Sequence, residues 1–159
     1  MDAKRIVLMG ESAGGHLANL AGARNRGRVA AVVSFYGPVD MIEFVNQRFG
    51  DKPIAKNMMD FFLIGDHLDT AGKARLREAS PSTYLTKNTP PFLLIHGTKD
   101  EAVPFEQSKL HMDLFRKLGQ RCDLITVQDG VHGVINWEKD PRFHGYKAEM
   151  IAWLKKVLK

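Results

Sequence analysis

Gly10-Glu11-Ser12-Ala13-Gly14 is the stretch that decides the fold of this 159-residue chain. The apolar run Ile6–Met9 precedes it, and small, helix-compatible residues follow it at once. When a strand precedes a G-x-S-x-G sequence and a helix follows it, the chain turns sharply and exposes the central hydroxyl. We therefore predict that Ser12 is a nucleophile on a strand-to-helix elbow, and not merely the cap of a helix.

A serine hydroxyl is a weak nucleophile until a base takes its proton, and the base needs an acid that fixes its tautomer. Asp100 is the predicted acid, because it follows the apolar run Phe92–Ile95. Side chains at the carboxyl end of a parallel strand project toward the ligand crevice. The neighbouring Glu101 is a weaker competitor for the same role.

The predicted base is His132, which follows the alternating run Cys122–Val127 and has glycines close on both sides. Among the six histidines, it alone combines a loop after a predicted strand with the required chain order. The order of Ser12, Asp100 and His132 is the nucleophile, acid, base order of α/β-hydrolases.

On these residues the chain resembles the α/β-hydrolase family, in its esterase/lipase branch. Residues 34–40 (Ser-Phe-Tyr-Gly-Pro-Val-Asp), 80–84 and 90–97 extend the resemblance to carbohydrate acetyl-ester and feruloyl-ester hydrolases. It implies a serine carboxylic-ester hydrolase that works through an acyl-enzyme, on small-molecule or carbohydrate esters. It also implies that the N–H of Ala13 stabilises the oxyanion.

Strands that alternate with helices predict an α/β fold with a parallel sheet. The predicted strands are Arg5–Met9, Ala30–Phe35, Phe92–Ile95 and Cys122–Val127, and the main predicted helices are Gly14–Arg24, Phe105–Leu118 and Tyr146–Leu158. Because family members are longer, the resemblance implies one domain, residues 1–159, that is the C-terminal half of the fold, truncated to about its last four strands. Residues 38–90 are predicted to be a cap insertion whose apolar residues line the acyl or leaving-group pocket.

Such a truncation would leave the Arg5–Met9 strand with an unpaired edge, which is a template for pairing with another chain. We therefore expect self-association through this edge. The resemblance further implies a second oxyanion donor from a glycine-rich loop that has no counterpart here, so we expect feeble ester turnover.

Several other functions are disfavoured by the composition. The net charge is +5, but the basic residues are not interleaved with aromatic ones, so no nucleic-acid partner is predicted. The histidines form no close ligand pair, and neither a metal nor a cofactor is implied. His16 is predicted to form a structural hydrogen bond, while Trp137 either walls the site or packs. No membrane-spanning run or signal peptide is present, and localisation stays open.

Two alternatives remain open at this stage. A serine exopeptidase of the prolyl-oligopeptidase type shares the order of the three residues and the Ser-x-Gly-Gly run. A folded but non-catalytic half-domain is the other alternative, which the short length keeps open.

Overall fold

The computed structural model describes residues 5–24, 27–49 and 69–159. Its strands form one parallel sheet in the order β1-β2-β3-β4, so the predicted α/β class is confirmed. The strands are β1 (Val7–Glu11), β2 (Ala31–Phe35), β3 (Phe92–Gly97) and β4 (Cys122–Val127).

Helices connect and cover these strands. They are α1 (Ala13–Arg24), α2 (Met41–Phe49), α3 (Thr70–Ala79), α4 (Glu106–Leu118), α5 (Val134–Trp137) and α6 (Gly145–Val157). Short 3-10 turns occupy residues 81–84 and 141–143. In the part of the chain that the structure describes, no helix is both long and apolar enough to cross a membrane.

Both faces of the sheet are covered at its two central strands, β2 and β3. On one face, Val32 and Phe92 pack with Ala18 of α1 and Phe115 of α4. On the other face, the apolar side chains of β2, β3 and β4 pack with aromatic residues of α5 and α6, including Trp153. Because both faces are covered, the central strands β2 and β3 are buried along their whole length, as is usual in parallel sheets.

The predicted bounds of the first strand are wrong by two residues. The strand runs over Val7–Glu11 and not over Arg5–Met9, because Gly10 and Glu11 continue the ladder against β2. Backbone pairing does not require apolar side chains, so the ladder enters the elbow sequence itself. Among the described strands, β1 pairs with β2 alone. Self-association through its other edge stays a prediction.

The connection between β2 and β3 contains α2 and α3. Met41, Phe44 and Val45 of α2 are buried against Leu76 of α3 and against Val103. These side chains therefore pack on one another. That apolar residues of residues 38–90 line an acyl or leaving-group pocket stays a prediction. The other proposed lining residues Met58, Met59, Phe61, Phe62 and Leu63 lie outside the described residues. The assignment of residues 38–90 as a cap stays a prediction.

Candidate active site

Ser12 lies at the turn between β1 and α1. Its φ of 52° is in the left-handed region, which residues other than glycine seldom adopt. The N–H of Ser12 donates to the carbonyl of Phe35 at 2.9 Å, and its own carbonyl accepts from the N–H of His16 at 2.9 Å. The elbow is therefore fixed by strand β2 on one side and by the first turn of α1 on the other.

Close backbone contacts explain why glycine is required at one position of the elbow and at the position that follows it. A Cβ atom on Gly10 would lie 2.3 Å from the carbonyl oxygen of Gly14, and one on Gly15 would lie 2.8 Å from the carbonyl oxygen of Phe35. A Cβ atom on Gly14 would meet no atom within 4 Å. The first glycine of the motif is thus sterically required, whereas the last one is not.

The structure brings the three predicted site residues together. Nε2 of His132 lies 3.0 Å from Oγ of Ser12, and Nδ1 of His132 lies 2.7 Å from Oδ2 of Asp100. Because a carboxylate can only accept, Nδ1 carries the hydrogen and Nε2 of the neutral ring is free to accept the serine proton. The His132 side chain is 28% exposed, and the Asp100 side chain is fully buried.

Asp100 is held as a carboxylate in this buried position. Burial alone would raise its pKa, but the hydrogen bonds with His132, His96 and the N–H of Val103 together bring the pKa below its usual range. Oδ1 also accepts from the N–H of Ala102 at 2.9 Å. The competitor Glu101 is exposed.

His96 is a supporting residue that sequence reasoning missed. Its Nε2 lies 3.0 Å from the carbonyl oxygen of Val103 and 3.4 Å from Oδ2 of Asp100, while Nδ1 lies 2.7 Å from Oγ of Ser108. Since a carbonyl can only accept, Nε2 carries the hydrogen. His96 therefore fixes the loop that carries the acid. A polar residue at the end of an otherwise apolar strand was the signal in the sequence.

Side chains of α5 hold the loop that carries His132. Asn136 Nδ2 donates to the carbonyl of His132, and Trp137 Nε1 donates to the carbonyl of Val131, both at 2.7 Å. Trp137 is fully buried, so it packs and does not wall the site. A second tie joins this loop to the end of β3, because the N–H of Lys99 donates to the carbonyl of Gly130 at 3.0 Å.

Tyr36, at the end of β2, was also missed from the sequence. Its hydroxyl lies 2.6 Å from Oε2 of Glu11 and 2.8 Å from the N–H of Val134, and its ring centroid is 4.6 Å from that of His132. Burial and then the bond to Glu11 raise the pKa of the Tyr36 phenol above its usual value, so the hydroxyl keeps its proton at neutral pH.

The remaining candidate residues take simpler places. Nδ1 of His16 lies 3.2 Å from the carbonyl oxygen of Pro38, which is the predicted structural bond. Ala13 is the first residue of α1, where a backbone N–H has no acceptor within the helix. Among the described residues, no group of histidine, cysteine or acidic side chains could hold a metal ion.

The parallel sheet and the strand-to-helix elbow define the α/β-hydrolase fold. The family profile BD-FAE matches residues 1–115, and the chain belongs to this family. Esterase LipC of Mycobacterium tuberculosis (strain ATCC 25618 / H37Rv) is 30% identical over 149 residues, which is 83% of this chain and 35% of LipC. The chain thus spans about a third of the length of this relative.

Solved structures of an esterase and of a peptidase have a fold similar to that of this chain. A truncated form of a carbohydrate esterase from gut microbiota superposes with a TM-score of 0.79 at 26% identity, over 99% of this chain and 61% of that one. An acylaminoacyl peptidase of Pyrococcus horikoshii superposes with a TM-score of 0.75 at 26% identity, over 99% of this chain and 27% of that one. The predicted resemblance to the esterase branch of the α/β-hydrolases is therefore confirmed.

Proposed function

We propose that this chain acts as a serine carboxylic-ester hydrolase that works through an acyl-enzyme. The observation that supports this proposal is the continuous hydrogen-bonded path from Ser12 Oγ through His132 to the buried Asp100. Groups that are already within hydrogen-bond reach can transfer a proton during the reaction without rearrangement.

In the first half of the reaction, Ser12 Oγ attacks the ester carbonyl while its proton moves to Nε2 of His132. The tetrahedral intermediate collapses, the bond to the leaving alcohol breaks, and His132 returns the proton to that alcohol. In the second half, His132 takes a proton from water, which attacks the acyl-serine. The acid is released and Ser12 regains its proton. Asp100 stays ionised and stabilises the imidazolium formed in each half.

We expect the negative oxygen of the tetrahedral intermediate to lie at the N-terminus of α1. The N–H of Ala13 is free of an intrahelical acceptor and follows the nucleophile directly, so it is the proposed oxyanion donor. The dipole of the 12-residue helix α1 favours negative charge at the same point.

Short-chain acyl esters, such as acetylated carbohydrates, are the proposed substrates. The similarity to the carbohydrate esterase from gut microbiota supports this choice. Hydrolysis of acetylated xylose or acetylated xylan, followed as acetate release, tests it against longer p-nitrophenyl acyl esters. We expect the acetyl esters to be preferred, and a preference for long acyl chains would contradict the substrate class.

The nucleophile is tested with a fluorophosphonate probe, which reacts with activated serines. We expect labelling of Ser12 and its loss, together with loss of ester turnover, in Ser12→Ala. Ser82→Ala is a matched control, because the Ser82 hydroxyl bonds Asp40 at 2.8 Å and not a residue of the site. Equal labelling of wild type and Ser12→Ala would disprove the assignment.

A serine exopeptidase is the second candidate, and the similarity to the acylaminoacyl peptidase favours it. Turnover of acylaminoacyl p-nitroanilides, compared with acetyl esters at equal concentration, separates the two functions. Turnover of neither substrate class by the folded chain would support the third interpretation, a non-catalytic half-domain.

A further inference from the structure

Tyr36 is held in an uncommon backbone conformation at the end of β2. Its φ is 38°, a value that is rare for an aromatic residue, and the residue is almost completely buried. The N–H of Tyr36 donates to the carbonyl of Ile95 at 2.9 Å, which anchors it to β3. Conformations of this kind cost free energy and persist where the surroundings over-determine them, often at functional sites.

The hydroxyl of Tyr36 connects two separate parts of the site. A carboxylate can only accept and a backbone N–H can only donate, so the hydroxyl donates to Glu11 and accepts from Val134. Glu11 directly precedes Ser12, and Val134 follows His132 by two positions. One phenol oxygen thus joins the nucleophile elbow to the loop of the base.

The ring of Tyr36 contacts the base as well. It lies 4.6 Å from the His132 ring, with an interplanar angle of 57°. It also lies 6.2 Å from the His96 ring and 5.4 Å from the Trp137 ring, both in edge-to-face geometry. Tyr36 therefore restricts the rotation of the His132 imidazole and the position of the loop that carries it.

We propose that Tyr36 is a positioning residue that sets the spacing between Ser12 Oγ and His132 Nε2 through its bonds to Glu11 and Val134. This inference rests on the serine-hydrolase function proposed above. Ser12 and His132 are 120 positions apart, and the strands that lead into them are at opposite ends of the strand order. Sheet pairing alone therefore does not fix their separation.

Tyr36→Phe removes the hydroxyl and keeps the ring. We expect kcat for acetyl esters to fall about tenfold to a hundredfold, because a displacement of about 1 Å costs roughly that much. KM should stay within about twofold, since the phenol acts through His132 and does not bind substrate. The matched control is Tyr146→Phe, because the Tyr146 hydroxyl also bonds a glutamate, Glu138, at 2.7 Å. Equal losses of kcat in the two variants would overturn the proposal.

A double-mutant cycle tests the link itself. Glu11 is exposed, so Glu11→Ala should fold even if Tyr36→Phe does not. Glu11→Ala should lower kcat as Tyr36→Phe does, and Glu11→Gln, which still accepts from the phenol, should recover most of the loss. Because both changes break the same link, the double variant should lose no more than one of them. Losses that multiply would show that the two residues act independently, contrary to the proposal.

A readout without substrate separates this inference from the proposed function. The His132 Nδ1 proton, bonded to Asp100, should give a far-downfield proton resonance in the wild-type chain. We expect this resonance to broaden or vanish in Tyr36→Phe and to persist in Tyr146→Phe. If Ser12→Ala keeps full ester turnover, the proposed function fails while this spectroscopic result still decides the positioning role. An unchanged resonance in Tyr36→Phe would refute that role.

Discussion

The nucleophile elbow and the loop that carries His132 are held by different means. The elbow is fixed by backbone contacts. Gly10 allows the first turn of α1 to lie close to the end of β1, and Gly15 allows it to lie close to the carbonyl of Phe35. The N–H of Ser12 donates to that same carbonyl. All of these residues except the strand partner lie within six consecutive positions. The elbow is therefore encoded locally.

Side chains from elsewhere fix the loop of the base. Asn136 and Trp137 reach back to its carbonyls, Tyr36 bonds the N–H of Val134, and Asp100 accepts from the imidazole of His132. The contrast teaches that backbone packing makes the nucleophile rigid, whereas the base depends on a set of separate hydrogen bonds. The bonds of Asn136 and Trp137 can be removed without changing the elbow, whereas the Tyr36 hydroxyl also bonds Glu11 within it.

The largest expected effect comes from removing the anionic partner of the base. Asp100→Asn should lower kcat by about 10⁴, because an amide leaves His132 in the wrong tautomer while the geometry stays intact. Glu101→Gln and Asp129→Asn are the controls, since Glu101 is exposed and Asp129 pairs with Lys99 at 3.1 Å. Ester turnover of the three variants, measured together, checks this. A comparable loss in Asp129→Asn would move the acid to the other loop.

The second prediction changes the elbow and leaves the loop that carries His132 unchanged. Gly10→Ala forces a Cβ atom against the carbonyl of Gly14, and such overpacking costs about 3 kcal/mol of unfolding free energy. Gly14→Ala is the matched variant in the same motif. It should stabilise the chain by up to about 1 kcal/mol, because alanine is the better helix former and its Cβ meets open space.

Urea unfolding of both variants, followed by circular dichroism, measures the difference. If Gly10→Ala and Gly14→Ala destabilise the chain equally, the prediction is wrong, because the close contacts are present at Gly10 and not at Gly14. The fluorophosphonate reaction of Gly10→Ala should also slow, because the displaced turn moves the Ser12 hydroxyl.

The same contrast explains what the sequence could predict. The strand Cys122–Val127 has the bounds expected from its alternating pattern, and the elbow and the order of the three site residues follow from local motifs. The first strand was misplaced because Gly10 and Glu11 belong to the ladder as well as to the elbow. A pattern of apolar residues does not indicate that residues of a turn motif also pair within a sheet.

Tyr36 could not be assigned from local patterns. The Tyr36 hydroxyl bonds residues 25 and 98 positions away, and only the folded backbone brings those groups together. For His96, the available signal is a polar residue at the end of an apolar strand, and its bonds to Val103 and Ser108 follow from the folded loop. Long-range side-chain bonds are therefore the part of the site that sequence periodicity leaves undetermined.

The third prediction concerns a buried histidine outside both loops. Among the described residues, neither ring nitrogen of His111 in α4 has a hydrogen-bond partner, and the ring packs against Phe92 and Phe115. Burial lowers its pKa from 6.5 to about 3 in the folded chain. The unfolded chain therefore binds this proton first, so the free energy of unfolding falls as the pH drops below about 6.5, by up to about 1.4 kcal/mol per pH unit.

His111→Leu should reduce the fall of the unfolding free energy between pH 6.5 and 4. His144→Gln, a change at a partly exposed histidine, should leave that fall unchanged. Burial also lowers the pKa of His16, so the slope should flatten in part and not vanish. The pKa of Asp100 is lowered as well, so its contribution to stability is lost only at more acid pH. Urea midpoints measured at several pH values for the three chains decide the matter. An unchanged slope in His111→Leu would contradict the prediction, because the loss of stability at acid pH would then not come from His111.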